Sequence, residues 1–462
     1  MKTIARILFM FFVLLASVAG FAQKPVARIG VQGLGTRDSG LNLSVPERSR
    51  RGDSRISVPV RVQLKSGVVP QGSDFQLYEI VEDERISVSS QIRYGEFDEL
   101  SWVIESNGDS IRIFELFVGV MHDLPSQQHP QMTSAINDST IILSKNNNPI
   151  LHYRHALLPP PPGQAEKWVR SGFIHPLYSP AGEVLTWVQP PDHLHHMGLW
   201  NPWTRVTWQG NHTDFWNLGD EQGTVRFKNI VGIESGEVYS EFRVVQDHLA
   251  FLKTKDPRPK TQDDERRKTK DERRKTFDRN EVTVLSEEWI VRVWNISDGY
   301  FLDFTSVLTN VTDDTVSLDA YRYGGGLGYR ATEKWNNSNS QVLTSEGKTW
   351  ENGDATRAKW CRVSGDLDGV ETGLLFMSDP GNYDFPQPMR IWPKNSIGGV
   401  GHQYFEFTPI REKAWILEAG KSYSQRYRIW INEGALPAEV ADVAWQAYAN
   451  KPTIKISYLN PQ

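Results

Sequence analysis

The stretch Glu281-Val282-Thr283-Val284-Leu285-Ser286-Glu287-Glu288-Trp289-Ile290-Val291-Arg292-Val293-Trp294 decides the fold. Taken every second residue, it places Leu285, Glu287, Trp289, Val291 and Val293 on one face, the period of two that an extended chain imposes on its side chains. β-Branched and aromatic residues dominate that face, which suits a pleated, half-buried surface. Downstream, Tyr300 to Leu308 and Thr315 to Tyr323 read as a hairpin around Asn310-Val311-Thr312-Asp313-Asp314. Together they imply a large antiparallel sheet.

The same pattern extends outward in both directions. Ile56, Val58, Val60 and Val62 alternate with polar residues, as do parts of Phe75 to Val81 and Ser110 to Val118, each bounded by Gly, Asp, Asn or Pro. Residues 23–145 therefore read as a small β-sandwich, and residues 146–462 as a second β domain. The run Pro159 to Pro162 marks a stiff connector or edge loop. Only Pro437 to Asn450, with Val440, Val443, Ala444 and Ala447 spaced for one face, reads as a helix. The expected class is mainly β, in keeping with 36 glycines, 26 prolines and an aromatic share of 11%. A chain of 462 residues is more than one core organises, which also favours two domains.

Charge and the first residues bound the setting. A net charge of −5 argues against a nucleic-acid partner, because phosphate binding wants a basic surface. Lys2 and Arg6 precede an apolar run from Ile7 to Val18, and Gly20-Phe21-Ala22 supplies small residues at a cleavage position. Residues 1–22 thus read as a cleaved signal peptide and the mature protein as periplasmic or secreted, since the run is shorter than the roughly 20 residues a spanning helix needs. No stable membrane insertion is expected after cleavage. Cys361 is the single cysteine and has no internal disulfide partner. Residues 253–278 form a duplicated charge block of nearly balanced sign, expected as a solvated insertion. The triplet Arg51-Gly52-Asp53 is read as a chance occurrence.

The chemistry concentrates elsewhere. Pro191-Asp192-His193-Leu194-His195-His196-Met197-Gly198-Leu199-Trp200 is followed closely by Trp203, Trp208 and Asp214-Phe215-Trp216. Imidazoles and carboxylates move protons near neutral pH, and indole faces stack on rings. On a strand, His193 and His195 would share one face and His196 the other, with Asp192 or Asp214 fixing a tautomer. His-x-His is also a metal-ligand spacing, but no third ligand is identifiable, so no metal or other cofactor is expected. His175 is held by the proline after it. Arg330 follows Gly324-Gly325-Gly326 and suits a substrate hydroxyl pair or carboxylate. His402 and Glu406, with Glu346, are candidates for the second half of an acid/base pair. Of Trp187, Trp200, Trp203, Trp208 and Trp216, at least two are expected in the core and the rest on an exposed stacking platform.

Several motifs carry a resemblance. Phe173-Ile174-His175-Pro176-Leu177-Tyr178-Ser179-Pro180, Asp192 to Gly198, Asp214-Phe215-Trp216, Gly325-Gly326-Leu327-Gly328-Tyr329-Arg330 and Asp379-Pro380-Gly381-Asn382 resemble the motif set of the PmoA-like family of exported bacterial proteins over roughly residues 150–432. More distantly, Asp192-His193-Leu194-His195-His196-Met197-Gly198 is similar to the Asn-His-Leu-His-Gly-Gly motif of aldose 1-epimerases (galactose mutarotases). Gly398 to Glu406 with Leu417 to Tyr423 resembles their final strand pair, which carries the catalytic glutamate. This resemblance implies a galactose-mutarotase-like antiparallel β-supersandwich and a saccharide or polysaccharide fragment as partner. Taken with the chemistry of the residues themselves, His193, His195, His175, His402 and Glu406 are the catalytic candidates, and Arg330, Asp192, Trp200, Trp203, Asp214, Trp216, Tyr323 and Asn382 the expected substrate contacts. The chain departs from the epimerase pattern where Tyr321, Arg322 and Tyr323 stand in place of the proton-donating histidine. The expected function is an exported carbohydrate-active enzyme working by acid/base catalysis at a glycosidic or anomeric centre, a hydrolase or lyase ahead of a simple mutarotase. A non-catalytic glycan-binding protein is the alternative, and a metal-dependent oxidoreductase the third reading.

Overall fold

The computed structural model describes residues 24–33, 56–106, 111–119, 132–252 and 280–459. Residues 1–22, expected to be a signal peptide, the Arg51-Gly52-Asp53 triplet and the charge block 253–278 lie outside the described residues. The stretch that opened the sequence reading is a strand, Asn280–Asn295, third in an eight-stranded antiparallel sheet. Its neighbours are Tyr239–Leu252 and Tyr300–Asn310, and the sheet continues through Ser422–Glu433 and Val370–Ser378. We call it the long-strand sheet.

A second eight-stranded sheet covers it. This short-strand sheet runs in the order Met389–Ile391, Tyr404–Phe407, Gly328–Arg330, Leu199–Trp200, Phe173–Leu177, Asn148–Arg154, Thr140–Lys145, Met132–Ile136. Between the two sheets lies one continuous core in which Trp289, Val291, Val293, Leu302 and Phe304 meet Ile174, Leu199, Tyr329 and Phe405. The apolar face read from alternation is therefore the face turned to the partner sheet, as the burial of apolar surface requires. Glu287 shares that face and is fully buried; it accepts from Gln246 and Asn201 and lies 2.9 Å from His248 Nε2.

The hairpin expected between Tyr300–Leu308 and Thr315–Tyr323 does not form. Val316–Leu318 instead joins a four-stranded sheet with Val206–Trp208, Asn211–Thr213 and Trp415–Leu417, while Tyr300–Asn310 takes Ser422–Glu433 on its free edge. The residues between them turn the chain out of the sheet, because Asn310 Nδ2 donates to the carbonyls of Asp314 and Leu417.

The N-terminal unit is a two-layer sandwich. A five-stranded sheet packs on the three-stranded Ser57–Leu64, Asp98–Glu105, Ser90–Arg93 around Trp102, Phe114 and Leu116. Its boundary differs from the expectation at both ends. Met132–Ile136 and Thr140–Lys145 already belong to the short-strand sheet, and the C-terminal strand Thr453–Tyr458 returns to pair with Ala27–Gln32. The helix Ala438–Ala449 lies where its apolar spacing put it and packs Ala441 and Ala444 against the outer side of the long-strand sheet beside Trp360 and Trp430. No described helix is long and apolar enough to cross a membrane.

Candidate functional site

The outward side of the short-strand sheet gathers the chemistry. In register, Trp200 opposes Gly328, Arg330 opposes Tyr404, and Arg390 opposes Glu406, so these side chains share one face. Leu199, Tyr329, Phe405 and Ile391 alternate to the core on the other. By the same alternation His175 and His402 fall on the outward face. His402 stacks edge-on against Trp187 at 5.1 Å, and His175 Nδ1 lies 2.9 Å from the Thr186 hydroxyl.

The three neighbouring histidines are not on a strand. Residues 191–196 form two consecutive turns, with His193 N–H donating to the Pro190 carbonyl and His196 N–H to that of His193. A turn does not alternate its side chains, so all three imidazoles converge, with ring centroids 4.9 to 5.4 Å apart. His196, expected on the far face, is instead the centre of the cluster. It is fully buried between Trp200, Trp216, Trp392 and Tyr404.

One charged chain leads from the interior to the surface. Arg330 has no exposed side-chain surface, and its Nη2 donates to both Asp192 oxygens at 3.1 and 2.8 Å. Its guanidinium lies between Trp392 and Trp187, 4.7 and 5.1 Å from the ring centroids, where the indole quadrupoles favour a cation. Asp192 Oδ2 is 3.3 Å from His193 Nδ1, and the His193 ring is 32% exposed. Burial alone would raise the Asp192 carboxyl, but the His193 imidazole and the Arg330 guanidinium hold it down at about 2. It is a carboxylate at any physiological pH.

Burial drives His195, His175 and His196 neutral. Burial, followed by the charges of His193 and Arg170, lowers His195 to about 3. Burial lowers His175 to about 4 and puts His196 well below the usual imidazole value. His193 and His195 both keep some exposed surface, and His196 has none to speak of.

Glu406 lies on the same face but below it. It has no exposed surface, accepts from the Gly324 N–H at 2.8 Å and from the Tyr404 hydroxyl at 2.7 Å, and is pushed up to about 8 by burial. At neutral pH it is a carboxylic acid, and it positions the Gly324 turn rather than meeting solvent. Tyr323 is half-buried near it, its hydroxyl 3.3 Å from Arg390 Nη2, with Arg390 anchored on Asp354. The glycines before Arg330 do serve close approach. At Gly325, φ is +81° and a Cβ would overlap the Trp203 indole.

Other candidates fall outside this arrangement. Asp214 does not reach the histidines; it accepts from the Trp216 and Asn217 N–H groups and from the Thr204 hydroxyl, fixing that turn. Trp200, Trp203, Trp208 and Trp216 are buried, so the expected exposed indole platform is not there. Trp200 and Trp216 wall the histidine cluster from below, while Trp203 packs on Trp415 in a separate core. Asn382 is remote: its side chain accepts from the Arg426 N–H and donates to the Arg426 carbonyl. Trp392, Tyr404 and His196 are the members that sequence reasoning missed. The two-residue spacing of Tyr404 and Glu406, and of Arg390 and Trp392, carried the signal. Among the described residues no group of three or more His, Cys, Asp or Glu is placed to hold a metal ion.

A family model described as a family of unknown function matches residues 140–446, which takes in the long-strand sheet and all of the short-strand sheet but its edge strand Met132–Ile136. The chain belongs to the DUF6807 family. This DUF6807 assignment does not bear on the PmoA-like resemblance, and no curated protein matches the chain. Among solved structures, this DUF6807 protein is similar to an α-mannosidase from Enterococcus faecalis, with 9% identity and a TM-score of 0.40 over 94% of the chain; it spans 46% of the mannosidase. A galactose mutarotase related enzyme from Lactobacillus acidophilus aligns at 10% identity and TM-score 0.32, over 65% of this chain and 97% of its own. A galactose mutarotase-like protein from Lactobacillus casei aligns at 8% identity and TM-score 0.29, over 65% and 100%.

Proposed function

We propose that the protein is an exported carbohydrate-active enzyme in which His193 carries a proton to or from a bound saccharide at or next to its anomeric centre. The observation that carries this reading is the chain Arg330–Asp192–His193, which runs from a guanidinium with no exposed surface to an imidazole about a third exposed. A buried cation fixes the carboxylate, the carboxylate lies 3.3 Å from one ring nitrogen, close enough to engage it on a small ring rotation, and the other edge of the ring is offered to substrate. Trp187 packs against both His402 and the Arg330 guanidinium, and Tyr323, which packs on Trp216, carries a hydroxyl bonded to Arg390.

The same geometry chooses among reaction types. Hydrolysis by a carboxyl pair needs two carboxyl groups facing the glycosidic bond. Asp192 is engaged by Arg330, Asp214 is held within a hydrogen-bonded turn, and Glu406 is a buried strand residue bonded to the Gly324 N–H and the Tyr404 hydroxyl. A single oriented imidazole suits proton abstraction, as in an isomerase or lyase, better than it suits a carboxylate-pair hydrolase.

The test is to incubate the purified protein with panels of plant and algal glycans and sugars. New reducing ends, unsaturated sugars and anomer interconversion are then followed separately by NMR. His193→Ala is expected to abolish turnover and spare binding, and Asp192→Asn to lower kcat by roughly 100-fold or more, the usual worth of a positioned acid/base group. Undiminished turnover in His193→Ala would overturn the proposal, and saturable binding without turnover would assign a glycan-binding role instead.

A further inference from the structure

A cavity of about 410 Å³ opens on the other side of the long-strand sheet, away from the histidines. It lies where three parts of the chain meet. The outer face of the sheet supplies Arg292, Asp303 and Arg428, the N-terminal sandwich supplies Arg61 and Glu99, and the end of the helix with its following turn supplies Tyr448 and Lys451.

Its floor neutralises itself. Arg292 pairs with Glu241 at 2.6 Å and with Glu99 at 3.0 Å, and Arg428 grips Asp303 through two bonds at 2.6 and 2.8 Å. Three cations remain on the rim, Arg61, Arg426 and Lys451, each exposed and none with an ion-pair partner among the described residues. They come from three separate elements and converge on one opening, where like charges raise the local potential.

One of them is held in place. The Asp379-Pro380-Gly381-Asn382 turn, which the catalytic reading does not use, binds the backbone of Arg426: Asn382 accepts from its N–H at 2.7 Å and donates to its carbonyl at 2.8 Å. Asp379 N–H also donates to that carbonyl at 3.2 Å. Asn382 is itself buried, so the turn fixes Arg426 at the cavity mouth.

We propose that this cavity is a second binding site and that its ligand is a sugar acid carrying one carboxylate, of uronate size. The lining has five cationic and four anionic side chains, an excess that one negative charge satisfies. Arg61, Arg426 and Lys451 receive the carboxylate. Asp379 and the edges of Glu99 and Asp303 accept from ring hydroxyls, and Pro59, Tyr448 and Ile454 provide apolar walls for the carbon face. The volume is in the range of small-molecule sites and exceeds what an inorganic anion fills.

The experiment is calorimetric titration of the full chain at low ionic strength with D-glucuronate, D-glucose and inorganic phosphate. Saturable glucuronate binding in about the millimolar range or tighter is expected, with glucose and phosphate weaker by at least about tenfold. Arg61→Gln/Arg426→Gln/Lys451→Gln should weaken glucuronate binding at least tenfold, about 1.4 kcal/mol, and leave the unliganded melting temperature unchanged because the side chains are exposed. Should the triple variant melt early, the single Arg426→Glu carries the test. His193→Ala should leave the affinity intact, which separates this site from the catalytic proposal. Glucuronate binding no tighter than glucose or phosphate, binding that survives the triple variant, or binding lost in His193→Ala would each overturn the inference.

Discussion

Replacing Asp192 with alanine strips the carboxylate from a guanidinium that has no exposed side-chain surface. Arg330 Nη2 makes its hydrogen bonds to Asp192, while Nε and Nη1 have no protein partner and face the Trp187 and Trp392 indoles. Two routes give the magnitude. A carboxyl held at about 2 instead of 3.8 corresponds to roughly 2 kcal/mol, and to about 1 kcal/mol once solvent screening at the partly exposed Asp192 is allowed for. Leaving a buried charge unpaired costs about 3–5 kcal/mol, moderated here because truncation at residue 192 admits water. The expected loss is about 2–4 kcal/mol, read as a fall in the urea midpoint of tryptophan fluorescence. Asp192→Ala/Arg330→Met removes the charge together with its partner and should recover more than half of it, since a buried pair exchanged for apolar groups is often neutral. The pH dependence has a definite sign. The folded value lies below the unfolded one, so this contribution is complete above about pH 4 and is lost as pH falls through about 2. A single-variant loss under about 0.5 kcal/mol, or strictly additive losses in the double variant, would refute the claim that Asp192 exists to pair Arg330.

Glu406 gives the opposite slope: its folded value near 8 exceeds the unfolded one near 4.5, so stability is greatest below pH 4.5 and declines as pH rises through 8. Glu406→Gln should flatten that decline in a pH series of thermal melts, with little change below pH 4.5. Gly325→Ala combines a left-handed φ with overlap on Trp203 and should cost about 3 kcal/mol, seen as early melting or insoluble expression. Burial pushes the Cys361 thiol far up, so an aromatic disulfide reagent should label it only as fast as the protein unfolds; rapid native-state labelling would contradict its place in the core.

Much of the fold was legible because alternation is a local property. Glu281 to Trp294 announced a strand with a buried face, and the helix at the C-terminus announced itself by its own spacing, because each pattern spans one element. Sheet membership was not legible. Val316–Leu318 and Tyr300–Asn310 are neighbours in the chain yet belong to different sheets, and Thr453–Tyr458 pairs with a strand more than four hundred residues earlier. Such pairings depend on which apolar faces find each other, and no short window contains both partners.

The candidate site divides in the same way. The residue types were visible in the sequence: the histidine run, the aspartate before it, and the arginine after three glycines. The assumption of a strand there sent His196 to the wrong side, and the density of indoles suggested a surface platform where the packed chain has a buried wall. By itself, then, the sequence determined which functional groups exist and which strands bury a face, since both follow from side chains a few bonds apart. Only the tertiary structure decided that Arg330 reaches Asp192 across 138 positions of chain, that His193 keeps about a third of its side chain exposed while His196 is buried, and that Glu406 is sealed away as an acid. Solvent exposure and the neighbouring charges set each group's protonation, and both are properties of the packed molecule.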